Sequence, residues 1–131
     1  MPTQVQGRFE VQLQPQAQAA ADGVSTARLS IDKRFFGDLD ATSQGEMLSV
    51  GNETGSATYV AMERVTGTLQ GRSGSFVLVH NGVMTPDSQS LTITVAPGSG
   101  TGELAGLSGT MGIVIADGEH AYEFSYTLGD E

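Results

Sequence analysis

One acid and one histidine in this chain are spaced so that they could meet inside a folded structure. Glu63 and His80 lie in the stretch YVAMERVTGTLQGRSGSFVLVHNGVM, residues 59–84, which reads as one long β-hairpin. Residues 58–69 alternate with a period of two: Tyr59, Ala61, Glu63, Val65, Gly67 and Leu69 share one face, while Thr58, Val60, Met62, Arg64, Thr66 and Thr68 share the other. On the return strand Gly74, Phe76, Leu78, His80, Gly82 and Met84 share a face, opposite Ser75, Val77, Val79, Asn81 and Val83. A type II′ turn at Gly71-Arg72, with glycine supplying the positive φ, sets Leu69 opposite Gly74, Gly67 opposite Phe76, Val65 opposite Leu78 and Glu63 opposite His80. A four-residue loop would keep the faces and slide the partners; a three-residue loop would swap the faces.

The face that carries Phe76, Leu69, Leu78 and Val65 is a core face, so Glu63 and His80 point inward. A buried charge is costly unless it is paired. Two readings follow. A carboxylate–imidazole pair in a pocket moves a proton or orients a polar ligand, with Glu63 and His80 as the catalytic candidates and Tyr59, Phe76, Tyr122 and Phe124 as ligand-binding walls. Alternatively the pair only satisfies two buried polar groups. Other chemistries are poorly served. Two histidines without H-x-H or H-x-x-x-H spacing are a thin metal set, although Glu63, His80 and His120 could converge. There is no G-x-S-x-G elbow and no GxxxxGK[ST] phosphate loop. The sequence therefore implies no metal and no cofactor.

The elements that must position this hairpin are also strands. Val5 to Leu13 alternates cleanly and is expected to end at Pro15, with a polar loop over residues 15–23. Val24 to Phe36 is a second strand; Lys33 in its apolar phase and Phe36 in its polar phase suggest a bulge near Lys33-Arg34. Residues 37–45 read as a turn, Glu46 to Val50 as a short strand, and residues 51–55 as a loop. A turn over Thr85-Pro86-Asp87-Ser88 leads to Ser90 to Val95. The segment from Ala96 to Gly112 reads as a shaped glycine loop whose glycines allow close packing, leading into Thr110 to Ala116. Asp117-Gly118 turns into His120 to Leu128. The result is an all-β, closed, antiparallel eight-stranded barrel in a single domain over residues 1–131. Val60, Met62, Val77, Val79 and Val83 exceed what a solvated wall needs, which points to a homodimer interface or packing under a loop.

Composition narrows the partners. The 131 residues carry a formal net charge of −9, which disfavours nucleic acid and anionic membrane surfaces. Cysteine is absent, so neither a disulfide nor a thiolate metal site forms. No apolar run approaches a membrane span, and MPTQVQGRFEVQLQ lacks the pattern of a secretory signal, so the chain reads as cytoplasmic.

Two motifs, ERVTGTLQGRSGSFVLVHNG (residues 63–82) and PGSGTGELAGLSG (residues 97–109), resemble a family of small bacterial proteins of unassigned function. With Phe9, the Lys33-Phe35-Gly37 turn and the C-terminal strand, the likeness covers nearly the whole chain. It implies the allene-oxide-cyclase-like β-barrel, which is also the barrel of dirigent proteins. Those distant relatives bind apolar small molecules in the lumen and steer cyclisation or radical coupling. The resemblance therefore implies an apolar small-molecule ligand, with an isomerase- or cyclase-like activity as one reading and a filled, oligomerising, non-enzymatic module as the other.

Overall fold

The computed structural model describes residues 2–129. Eight antiparallel strands run in chain order: β1 (Thr3–Ala21), β2 (Val24–Phe35), β3 (Leu39–Asn52), β4 (Ala57–Leu69), β5 (Arg72–Thr85), β6 (Ser88–Val95), β7 (Leu107–Ala116) and β8 (Glu119–Leu128). Each strand pairs with the next, and β8 pairs with β1 from Thr3↔Tyr126 to Phe9↔His120, so the sheet forms a ring. Among the described residues the one helical piece is a 3-10 turn at Gly102–Leu104, and no helix is long and apolar enough to cross a membrane.

Several strands are longer than alternation alone suggested. β1 does not stop at Pro15. It continues to Ala21, with a register shift between Pro15 and Ala17. Proline is tolerated there because β1 pairs with β8 only as far as Phe9, which leaves its second edge free of ladder bonds at Pro15. Residues 39–45, read above as a turn, are the first half of β3: Leu39, Ala41 and Ser43 are buried while Asp40, Thr42 and Gln44 are exposed. Small inward residues and polar outward ones make a strand that looks like a loop by composition. No bulge occurs at Lys33-Arg34, since β2 keeps an unbroken register with β3 from Val24 to Phe35. Lys33 lies in the apolar phase because it is itself an interior residue. Phe36, beyond the strand end, is held between the Arg8 and Arg34 guanidinium groups at 4.0 and 4.6 Å from its ring centre.

The central hairpin also turns one residue earlier than expected, which shifts each residue's partner by two. Its loop is Gln70-Gly71, not Gly71-Arg72, with φ of 48° and 83°. Positive φ at both central residues is the type I′ geometry that matches strand twist. Leu69 therefore faces Arg72, Val65 faces Phe76, Glu63 faces Leu78, and His80 faces Ala61. The inward faces are those expected; the partners are shifted by one inward position.

The ring has two unlike ends. At one, Phe35, Leu39, Val65, Leu69, Phe76, Leu78, Leu104, Leu107, Tyr122 and Phe124 are buried as a continuous core. Each such side chain contributes about 1.5–3 kcal/mol by leaving water. The glycine-rich loop closes this end where β6 stops short of β5. Thr101 N–H bonds the Ser75 carbonyl at 2.8 Å, and the Ser99 and Thr101 hydroxyls accept from the Val77 and Ser75 amides at 3.0 and 3.1 Å. A Cβ on Gly74 would overlap the Thr101 carbonyl oxygen, so its role here is close approach. At the other end the hairpins run on past the core. Their inward phase carries Leu13, Met84, Leu91 and Ile115, which are 44%, 44%, 46% and 65% exposed.

Gly71 and Gly74 separate two roles of glycine. A Cβ at Gly71 meets nothing, so Gly71→Ala should cost only the left-handed backbone penalty of about 1–2 kcal/mol. Gly74→Ala must displace the loop and should cost about 1–3 kcal/mol and expose residues 96–106 to exchange. Urea midpoints with amide exchange check this; unchanged exchange of the loop in Gly74→Ala would contradict the packing account.

Candidate functional site

Four strands each send one polar side chain inward to the same place. Lys33 (β2), Ser43 (β3), Glu63 (β4) and His80 (β5) are 6%, 0%, 1% and 4% exposed. Lys33 and Ser43 are direct cross-strand partners, and Glu63 is paired with Gly45, whose missing side chain lets the β4 backbone approach closely: a Cβ there would overlap the Met62 carbonyl oxygen. The shifted hairpin register makes His80 a diagonal neighbour of Glu63, within reach of a long side chain.

The carboxylate is fully engaged. Ser43 Oγ donates to Glu63 Oε1 at 2.6 Å, Lys33 Nζ donates to Oε2 at 2.8 Å, and His80 Nε2 lies 2.5 Å from the same Oε2. Burial by itself pushes the Glu63 pKa up. The His80 hydrogen bond, the Lys33 charge and hydrogen bond, and the Ser43 hydroxyl together outweigh it and bring the value down from 4.5 to about 2. Glu63 is thus an anion at neutral pH, balanced by Lys33. The ammonium is also flanked by the rings of Phe9 and Phe35, with Nζ 5.1 and 5.5 Å from their centres.

An ionised carboxylate only accepts, so His80 Nε2 carries the hydrogen and donates to it. In the neutral ring Nδ1 is then an acceptor. It faces the Tyr59 hydroxyl at 3.4 Å, a long contact that the phenol O–H can bridge. Burial, and secondarily the Glu63 charge, raise the Tyr59 pKa, so the phenol keeps its proton at neutral pH. The Tyr59 ring lies across Gly82, where a Cβ would collide with it. The contacts run from Lys33 and Ser43 through Glu63 and His80 to Tyr59.

Of the residues singled out from sequence, Glu63, His80 and Tyr59 are brought together. Phe76, Tyr122 and Phe124 are not beside them: all three belong to the packed end, 1%, 0% and 1% exposed. Phe76 stacks on Phe124 with ring centres 5.8 Å apart, and Tyr122 spends its hydroxyl on the β2–β3 turn, accepting from Leu39 N–H at 3.1 Å and donating to the Phe36 carbonyl at 2.8 Å. His120 packs on Phe9, 5.3 Å between ring centres. Among the described residues no group of three or more histidines and acids is placed to hold a metal. Lys33 and Ser43 were missed. Lysine in an apolar phase was the available signal for the first; nothing local marks the second.

Where β1 and β8 part company beyond Phe9 and His120, a cleft of about 460 Å³ opens, lined by Arg8, Phe9, Glu10, Val11, Gly118, Glu119 and His120. Its Phe9 wall is the ring that covers Lys33. A cleft of about 720 Å³ on the far side of the β1–β8–β7 wall, with Gln4, Asp38, Thr110 and Glu123 in its lining, touches no member of the cluster.

The ring of eight antiparallel strands with a polar cluster in its interior places the chain among small all-β proteins. Residues 5–126 match the family described as "Protein of unknown function (DUF3224)", and the chain belongs to that family. It is similar, at 50% sequence identity over 98% of both chains and with a TM-score of 0.93, to a crystal structure of a DUF3224-family protein of unknown function from Shewanella oneidensis MR-1. No curated protein matches the chain.

A carboxyl group whose folded pKa is depressed stabilises the fold above its unfolded value and stops doing so as pH falls through the folded value. For Glu63 that window runs from 4.5 down to about 2. Glu63→Gln removes the anion and strands Lys33, at a cost of about 3–5 kcal/mol at neutral pH. The gap between wild type and Glu63→Gln should narrow as pH falls through that window, measured by urea midpoints at each pH. A constant gap would mean that Glu63 is not an ionised partner of Lys33.

Proposed function

We propose that this chain binds an apolar small molecule at the open end of its ring, with the allene-oxide-cyclase-like barrel as its architecture. One observation carries the reading: beyond the polar cluster the inward phase continues as Leu13, Met84, Leu91 and Ile115, large apolar side chains left 44–65% exposed. Apolar walls with one convergent polar group are the usual composition of a small-molecule site, and here the polar group is the Tyr59 hydroxyl backed by His80. Phe76, Tyr122 and Phe124 act in this reading as the floor that keeps the ligand at the open end.

The test uses N-phenyl-1-naphthylamine, a neutral apolar dye that fluoresces when removed from water. Wild type should bind it saturably, and Leu91→Glu or Met84→Glu should weaken binding about tenfold, the equivalent of 1.4 kcal/mol. The outer-wall change Met62→Glu should leave it unaltered. Equal binding by all four proteins would reject the site.

A second reading, an oligomerising module without chemistry, is favoured by a different surface. The outward phase of β3 and β4 carries Leu48, Val50, Val60 and Met62 at 55%, 40%, 43% and 59% exposure, with Leu48 and Val60 directly paired. A homodimer through this wall would cover them. Sedimentation should then show a dimer at tens of micromolar (an order-of-magnitude choice from common interface affinities) and a monomer for Met62→Glu; a wild-type monomer rejects this reading.

A further inference from the structure

The cluster is built in a sequence, and the sequence has a direction. Glu63 cannot meet a ligand: it is 1% exposed and both of its oxygens are occupied. Lys33 and Ser43 are also buried and are committed to Glu63. His80 is 4% exposed, with Nε2 held by the carboxylate and Nδ1 covered by the Tyr59 hydroxyl. Tyr59 is half-buried and lies level with Gly82 and Leu91, on the side of the cluster where the open end begins. It is the member of the cluster that a ligand at the open end reaches first.

We propose that Tyr59, His80 and Glu63 form a proton relay that shifts a hydrogen within a small apolar carbonyl compound bound at the open end. This rests on the binding reading above and adds the reaction and the substrate class. Glu63, kept anionic by Lys33 and Ser43, holds the His80 ring in the tautomer with Nε2–H inward and a bare Nδ1 outward. A hydroxyl hydrogen-bonded to an imidazole that is oriented by a carboxylate is the arrangement that activates an oxygen for proton removal. In the forward step the Tyr59 oxygen takes a proton from the carbon beside the carbonyl as its own proton passes to His80 Nδ1. The C–H bond breaks, its electron pair moves into the new carbon–carbon double bond, and the carbonyl oxygen takes the negative charge. The imidazolium formed is flanked by the Glu63 carboxylate. In the return step His80 gives its proton back to Tyr59; with a β,γ-unsaturated carbonyl substrate the anion is a dienolate, and Tyr59 protonates it at the γ carbon as the double bond moves into conjugation with the re-formed carbonyl. The net result is an isomerisation that consumes no oxidant, reductant or co-reactant.

The acidic tyrosine proton has to leave for this to work, and burial beside Glu63 resists a free tyrosinate. Transfer to His80 in the same step avoids that species. Tyr59 is then the catalytic residue, and His80, Glu63 and Lys33 are positioning residues that act through it.

The probe is 5-nitrobenzisoxazole, a neutral fused aromatic whose ring opens when a base removes its one acidic C–H. The N–O bond breaks as the proton leaves, and the electron pair ends on a coloured phenolate. Wild type should open it about 100-fold faster than Tyr59→Phe, the scale of a positioned general base. Tyr59→Phe keeps the ring over Gly82, and the two proteins are compared at saturating 5-nitrobenzisoxazole, so that a change in affinity does not enter the rate. A readout free of substrate is the ¹⁵N spectrum of His80, which should show Nε2 protonated and Nδ1 bare, with the Nδ1 resonance moving in Tyr59→Phe. Dye binding with equal ring-opening rates in the two proteins overturns the relay and leaves the binding site standing. The opposite tautomer overturns the relay whatever the rates. Failure of wild type to bind either compound overturns both.

Discussion

A single carboxylate in the interior constrains most of this molecule. Glu63 sits where water does not reach, and an unpaired charge there would be untenable. It survives because three strands other than its own deliver donors: Ser43 from β3, Lys33 from β2 and His80 from β5. The registers of four consecutive strands are therefore tied to one atom group. A one-residue slip of any of them would turn its donor outward and leave the carboxylate stranded. The cluster is a lock on register. Whether such clusters stabilise relative to an all-apolar filling is a separate matter, because the desolvation of two charges offsets much of their attraction.

The cluster also marks the boundary between the two ends of the ring. On one side aromatic and leucine side chains pack to a solid core, capped by the loop over residues 96–106. On the other, the same inward phases run on as Leu13, Met84, Leu91 and Ile115, left 44%, 44%, 46% and 65% exposed. An eight-stranded ring is only wide enough to be filled or to hold one small ligand. This chain is filled at one end and leaves large apolar inward side chains exposed at the other, with Phe35 and Phe9 beside Lys33 at the boundary. β7 shows why the open end is the looser one: it is joined to β6 through only the Ile93↔Met111 and Thr94↔Thr110 pairs, whereas it is laddered to β8 along its full length.

Alternation in the sequence determined the strand count, their order of appearance and which face of each turns inward, because one buried face forces a period of two. The inward placement of Glu63 and His80 followed from Phe76 and Leu78 sharing their phase. Turn position was less legible. Gly71 admits positive φ at either site of a two-residue loop, and only the structure shows Gln70 taking the other left-handed position. The strands through Pro15 and through residues 39–45 were hidden by composition, since polar or small side chains on an exposed or crowded face look the same as loop.

What the tertiary structure alone decided is the company each interior residue keeps. Lys33 and Glu63 are thirty positions apart, and Ser43 is an ordinary serine in a polar run. Local pattern places Glu63 on the inner wall, reads Lys33 as a bulge and residues 37–45 as a turn, and says nothing about which inner residues meet around the ring. The same limit separated Tyr59 from Phe76, Tyr122 and Phe124: all are inward aromatics by alternation, and height along the ring divides them. That height is set by strand tilt and by the slide of one hairpin on the next, quantities summed over all eight strands and carried by no single stretch of the chain.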